Sequence, residues 1–325
     1  SYFSLHFNFF KQKTAYEINK NDKIYVSGES IGIKLNSGVE VVGTFGIKVD
    51  GSIVKPWEEC GITEGDKIIS LNHKTIEKSN DLLTALKQSN GEKCSITFLR
   101  NTKTYTATIT PAVKNDEYSL GLYIKDSILG VGTLTYYVKE ANIFGSLGHK
   151  ITNDSFYSGE IYEAKVTSIV KPERNQAGEK KATIGTNKIG TVVENTNTGV
   201  HGNGTSKLDL SSMEQLNFKT RDEITLGDAE IWTCIDGDKV EKFDIKITSL
   251  AKQSTKDIKG ITFEVVDSDL ISRAGGIVQG MSGSPIVQDD KLIGAVTHVS
   301  IKDSTLAYGI YLEWMFADMG INVVE

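Results

Sequence analysis

Short alternating runs of apolar and polar residues, each cut off by glycine, asparagine or aspartate, most constrain what this chain can fold into. Runs such as "KIIS", "KCSITFLR" and "KTYTATIT" put an apolar residue at nearly every second position. That is the period of a strand with one buried face. With 31 glycines and only four prolines in 325 residues, turns are plentiful and few ladder donors are lost. "IWTCIDGDKVEKFDIKITS" reads as a hairpin, with Asp236 and Gly237 supplying the positive φ angles of a tight turn. Helices are sparse. One is "NDLLTALKQS", with Ser79 or Asn80 as N-cap and Gly91 just past its end; another is "LEWMFADMG", stopped at Gly320. The expectation is a mainly β protein with few helices.

Residues 24–112 hold together as one unit. Several strands lead into "GITEGDKIISLNHKTI", one amphipathic helix and a last strand pair ending near Pro111. This order resembles a bacterial PDZ domain. The resemblance implies an extended peptide added to a sheet edge. It puts Ile31, Gly32 and Ile33 of "SIGIKL" at the groove, where the small Gly32 would let an incoming backbone approach. "AVKNDEYS" reads as a linker, and residues 113–325 as a second, larger β-rich unit. Within it, residues 171–215 read as loops and short hairpins around a site. Residues 1–23 open with "SYFSLHFNFF", apolar but too short to cross a bilayer, and read as a membrane-proximal segment.

Charge and cysteine usage exclude several functions. A net charge of −6 argues against a nucleic-acid binder, which needs a basic surface. Three scattered cysteines, without C-x-x-C spacing, suggest neither a zinc site nor a disulfide framework. No ligand cluster is present, so no metal or cofactor is expected.

The chemistry concentrates in "GGIVQGMSGSPIV", residues 275–287. A serine hydroxyl needs a neighbouring base to act as a nucleophile. Acyl transfer also needs backbone N–H groups aimed at the developing oxyanion, and a glycine-rich turn leaves amides uncovered. Gly280 and Ser282 are the expected donors. Ser284 breaks the G-x-S-x-G elbow of the α/β-hydrolases. The pattern G-x-S-G-x-P instead resembles the serine turn of chymotrypsin-like proteases, which selects Ser282. Met281 stands where trypsin-type enzymes carry an aspartate, so activation through that salt bridge is not expected.

The base must come from five histidines. His6 and His73 lie outside the second unit, and His201 sits in a polar stretch that reads as solvated. His149 and His298 remain, and spacing alone does not separate them. The orienting carboxylate is equally open among Asp267, Asp269 and Asp154, with Asp267 as readily a helix N-cap.

Beyond the serine turn, "GLYIKDSILGVGTLTYY", "FGSLGHKI", "GDKVEKFDI" and "YGIYLEWM" follow in order. Together these motifs closely resemble the stage IV sporulation protein B peptidases, PDZ-containing serine peptidases of endospore-forming bacteria. The resemblance implies a PDZ domain followed by a chymotrypsin-like, β-barrel-type peptidase domain. It assigns the catalytic roles to His149, Asp267 and Ser282, and leaves His298 structural or pocket-lining. It further implies a membrane-bound protein substrate that regulates an intramembrane protease, activation of a late mother-cell sigma factor, self-cleavage, and residence between forespore and mother cell. The family normally carries a membrane-spanning N-terminal signal, so anchoring or secretion is expected. Two other readings are a non-catalytic PDZ signalling module and a serine esterase for small acyl groups.

Overall fold

The computed structural model describes residues 15–153 and 155–325. The fold is mainly β, 55% strand against 10% helix, as the alternation predicts. The chain divides into two units. Of the described residues, one comprises 33–129, 152–153 and 155–160; the other takes 15–32, 130–151 and 161–325. These limits differ from the expected 24–112 and 113–325. Residues 24–26 are a strand paired with Tyr136–Tyr137 and with Glu214–Leu216, so they belong to the larger unit. At the other limit, "AVKNDEYS" is a hairpin and not a linker. Ala112–Lys114 pairs with Glu117–Ser119 around Asn115 and Asp116, both at positive φ, and Leu120 enters the smaller unit's core.

In the smaller unit the order of strands and helix is the one expected from the sequence. Lys67–Leu71 pairs with Val39–Glu40 and with Cys94–Arg100, which in turn pairs with Lys103–Ile109. The helix spans Ser79–Gln88 and buries Leu82, Ala85 and Leu86 against this sheet. Its N-cap is Lys78, one residue earlier than expected, because the Asp81 carboxylate accepts the amides of Glu77 and Lys78.

The predicted peptide groove is not found at "SIGIKL". Ile31 and Ile33 are fully buried, and a Cβ on Gly32 would come within 2.6 Å of the Ile184 side chain. The segment starts the strand Ser30–Thr44, which pairs with Leu122–Val138 and with Ser158–Val170. With both isoleucines buried, the segment does not present them to an incoming peptide.

In the larger unit, six antiparallel strands close on themselves. Gly227–Cys234 pairs with Val240–Leu250, that strand with Ile261–Val265, and Ile261–Val265 with Leu306–Tyr311. Leu306–Tyr311 pairs with Lys291–Val299, which pairs with Pro285–Gln288, and Pro285–Gln288 returns to Gly227–Cys234. The result is a β-barrel. Ile231, Phe243, Ile245, Phe263, Ile286 and Val296 fill it. The hairpin expected at "IWTCIDGDKVEKFDIKITS" is present, but its loop runs from Ile235 to Lys239, with Gly237 bridged to Val166. A second set of antiparallel pairs joins Leu134–Val138 to Ile143–Ser146, that strand to Gly199–Gly204, and Gly199–Gly204 to Glu179–Thr196. Residues 171–215 are therefore more regular than expected, because β-branched "KATIGTNKIGTVV" forms one long strand. His201 lies in this sheet fully buried, not solvated. No helix among the described residues is long and apolar enough to cross a membrane.

Candidate active site

The serine turn leads into the barrel strand Pro285–Gln288. Gly283 has φ +92°, and a Cβ there would sit 2.1 Å from the Thr133 carbonyl, so only glycine fits. Thr133 clasps the turn from the strand Leu122–Val138. Its amide donates to the Ser282 carbonyl at 2.9 Å, and its Oγ1 to the Gly280 carbonyl at 2.9 Å. Thr135 Oγ1 adds a third bond, 2.7 Å to the Gly283 carbonyl.

This geometry separates the two serines. Ser284 is fully buried and its hydroxyl donates to the Met281 carbonyl at 2.6 Å. Ser282 is half-buried and lines a cleft of about 790 Å³, with its Oγ donating to the Thr297 carbonyl at 3.1 Å. The Met281 side chain points into the barrel core. The amides of Met281, Gly283 and Ser284 donate to the carbonyls of Val278, Val296 and Met281. Those of Gly280 and Ser282 have no acceptor among the described residues. Two uncommitted amides beside a cleft-facing hydroxyl are the donor pair that an acyl-transfer oxyanion needs.

His149 lines the same cleft. A tight turn carries it: the Gly148 amide donates to the Ser146 carbonyl at 2.7 Å, with Leu147 between them at φ +63°. This three-residue turn with a positive central φ is rare and strained, and such strain collects at working sites. After it, the Ile151 amide donates to Asn195 Oδ1 at 2.9 Å. His149 Nδ1 lies 2.9 Å from the Lys150 carbonyl, which assigns the proton to Nδ1 and leaves Nε2 as the basic nitrogen.

His298 also faces the cleft, its ring 5.3 Å from that of His149 between centroids. It sits at a register shift between Val296 and His298, where an extra residue re-aims the strand's side chains. Its Nδ1 is buried without a partner among the described residues. Burial, with smaller contributions from the charges of His149 and Lys259, pushes the imidazole pKa below its ordinary value.

Asp267 is not brought to His149. It is the N-cap of the helix Ser268–Ala274, where Oδ1 accepts the amides of Asp269 and Leu270, both at 3.0 Å. Its other oxygen accepts the Asp244 amide at 3.2 Å. The sequence left N-cap and triad roles open, and local geometry supplies the cap. Asp269 pairs with Arg273 at 2.8 Å, and Asp154 lies outside the described residues, as does His6. No carboxylate among the described residues forms an ion pair with His149.

Thr133, Thr297 and Lys180 were not singled out by sequence reasoning. Lys180 is fully buried behind the turn, and a Cβ on Gly280 would lie 2.9 Å from its own Cβ. Among the described residues its Nζ reaches only Ser30 Oγ at 3.1 Å and Thr233 Oγ1 at 3.2 Å. Burial pushes its pKa down to about 8. The cleft is further lined by Ile277, Val278, Val299, Ile301, Ala177 and Gln176.

No curated protein sequence matches the chain closely. Among solved structures, the active form of the Rv3671c protease from M. tuberculosis is 14% identical with a TM-score of 0.35, covering 61% of this chain and 78% of that one. Its inactive form is 14% identical with a TM-score of 0.34, covering 59% and 85%. The PDZ domain of the SdrC-like protein from Listeria monocytogenes is 19% identical with a TM-score of 0.22, covering 27% and 87%. Residues 116–316 match the SpoIVB peptidase S55 family. That span is more than half the chain and contains the serine turn, the His149 turn and all six strands of the barrel. The chain belongs to the SpoIVB peptidase S55 family and is a serine peptidase.

Proposed function

We propose that this protein is an endopeptidase in which Ser282 is the nucleophile, His149 the general base, and the amides of Gly280 and Ser282 the oxyanion hole. One observation carries the reading. Among residues 280–284 only those two amides are uncommitted, and they lie beside the hydroxyl of the serine that reaches the cleft. Ser282 Oγ leaves the Thr297 carbonyl and attacks the peptide carbonyl carbon while His149 Nε2 takes its proton. The new C–O bond puts the negative charge on the former carbonyl oxygen, against the two amides. Collapse breaks the C–N bond, and His149 returns the proton to the leaving amine. Water then repeats the sequence on the acyl-serine. A positioned base contributes roughly a hundred- to ten-thousand-fold, and each oxyanion donor roughly a hundred- to a thousand-fold. Asp267, committed to its helix cap, has no step here.

The substrate in this reading is a membrane-bound regulatory protein. Its cleavage activates an intramembrane protease and a late mother-cell sigma factor, in the space between forespore and mother-cell membranes. Self-cleavage and a peptide ligand for the PDZ domain belong to the same reading. Membership of the SpoIVB peptidase S55 family supports these points.

The chemistry is tested with casein hydrolysis and a fluorophosphonate probe. The expected result is covalent labelling at Ser282, with both labelling and hydrolysis abolished by Ser282→Ala at unchanged circular dichroism. Labelling elsewhere, or hydrolysis surviving Ser282→Ala, overturns the assignment. The pathway is tested in an endospore-forming host lacking its own copy: wild type should restore a late mother-cell reporter, and Ser282→Ala should not.

A further inference from the structure

We propose that Lys180 serves the oxyanion site, as a buried positive charge fixed beside the Gly280 amide. The inference rests on the peptidase reading of Ser282, with the amides of Gly280 and Ser282 as oxyanion donors. Three observations lead to it. The Lys180 amide donates to the Gln279 carbonyl at 2.8 Å, and the Gln279 amide to the Gly178 carbonyl at 2.9 Å. The Gln279 carbonyl and the Gly280 N–H belong to one trans peptide and point in opposite directions. Pinning the carbonyl to Lys180 therefore turns the Gly280 N–H away from that strand, and Gly280 itself lines the cleft.

The side chain makes the second link. A Cβ on Gly280 would lie 2.9 Å from Lys180 Cβ, 3.5 Å from Cδ and 3.6 Å from Cγ, so the stem runs along Gly280. Nζ is two bonds beyond Cδ, which puts the ammonium within about 9 Å of the Gly280 nitrogen. The third observation is the charge. Lys180 is fully buried, its Nζ bonds only the neutral hydroxyls of Ser30 and Thr233, and no carboxylate among the described residues pairs with it. Burying an ammonium without a counter-charge costs stability, and its field is not cancelled locally.

The groups around the amine leave that field in place. Its strand neighbours Glu179 and Lys181 pair with each other on the opposite face. Glu163 and Lys165 of Ser158–Val170 are exposed and bonded to Asn187 and Asp238. Glu29, beside Ser30, accepts the hydroxyls of Ser27 and Ser212. Cys234 is the titratable group nearest in kind, and burial pushes its thiol up, toward the neutral form. Burial lowers the Lys180 pKa to about 8, so the amine is charged at neutral pH and loses its charge above that value. As Ser282 Oγ bonds the peptide carbonyl carbon, a full negative charge appears on the oxygen facing the Gly280 and Ser282 amides. The substrate carbonyl carries only a partial charge, so a fixed positive charge favours the transition state over bound substrate. Lys180 touches no reacting atom and gives up no proton.

The test reads casein turnover and fluorophosphonate labelling of Ser282 from pH 7 to pH 10, in wild type and in Lys180→Met, which keeps a stem without the charge. At pH 7 Lys180→Met should lower kcat roughly ten-fold with KM little changed, the effect of a unit charge at this range. Wild-type kcat should fall on the alkaline side with a midpoint at about 8. The variant should lack that limb, so the two rates converge by pH 10. If Lys180→Met turns over at the wild-type rate at pH 7, the proposal is overturned. A loss of equal size at pH 7 and pH 10 is a packing effect and overturns it as well. If circular dichroism shows a misfolded variant, the wild-type profile decides: the alkaline limb supports the proposal and its absence overturns it. Wild-type protein that does not label at Ser282 refutes the peptidase assignment itself, which keeps the two failures distinct.

Discussion

The amide of Thr133 donates to the carbonyl of Ser282 across 2.9 Å, and the Thr133 hydroxyl reaches the Gly280 carbonyl at the same distance. Two points on one turn are thereby fixed by a single residue remote in sequence. The residue between them, Met281, anchors the turn from the other side by sinking into the barrel core. With both flanks held, the amides of Gly280 and Ser282 keep one orientation before any substrate arrives, which is the condition for electrostatic preorganisation.

Thr133→Val keeps shape and the backbone bond but leaves the Gly280 carbonyl without its hydroxyl donor. Stability should fall by about 1–3 kcal/mol. Turnover should fall with little change in KM, because the freed carbonyl lets the Gly280 amide swing. Chemical denaturation and steady-state kinetics on casein check the two parts.

Gly283→Ala places a methyl group 2.1 Å from the Thr133 carbonyl in a backbone at φ +92°. Both penalties act at a site that cannot relax without opening the clasp. Destabilisation of about 3 kcal/mol or more is expected, read as a drop in denaturation midpoint. A midpoint at the wild-type value would mean the turn differs from the one described.

Lys180 gives stability a pH dependence of known sign. The buried amine titrates at about 8 against an ordinary value of 10.5. Between those values the unfolded chain binds more protons, so stability rises with pH across that window. Below pH 8 the full cost of about 3 kcal/mol applies. Lys180→Met should therefore stabilise most near neutral pH, with its advantage over wild type shrinking as pH approaches 10. Denaturant titrations at several pH values test the slope, and an advantage that grows with pH would contradict it.

Asp267→Ala removes a side chain that accepts three backbone amides. Loss of the helix cap should cost about 1 kcal/mol, and Asp267→Ser, which still caps, should recover most of it. Thermal melts of the two variants check this ranking. Equal destabilisation in both would show that the contact with Asp244, and not the cap, holds the segment.

How much of this was legible in the sequence depends on the range of the interaction. Alternation and glycine punctuation are local, so the mainly β fold and the helices at Ser79–Gln88 and Leu312–Asp318 could be read directly. "GMSGSP" already pointed to one serine over the other, because the spacing of two glycines is itself geometric information. The hairpin at Ala112–Ser119 was legible in principle, since Asn115-Asp116 is a dipeptide that tolerates two positive φ angles. Other features depend on distant partners. Ile31 and Ile33 read as a groove edge until the strands that cover them are known. Asp267 carried two meanings that only its three amide donors decide. His298 became a neighbour of His149 through a register shift, and no periodicity in "LIGAVTHVS" announces one.

The barrel's closure has a consequence for the serine turn. Leu306–Tyr311 is the last strand of the ring to leave the ribosome, yet it pairs with both Ile261–Val265 and Lys291–Val299. The Gly283 amide leans on Val296 in the second of these strands, and the Ser282 hydroxyl on Thr297 beside it. Leu306–Tyr311 thus braces, from the far side, the strand that holds the serine turn, so the geometry of the turn is tied to the closure of the whole ring.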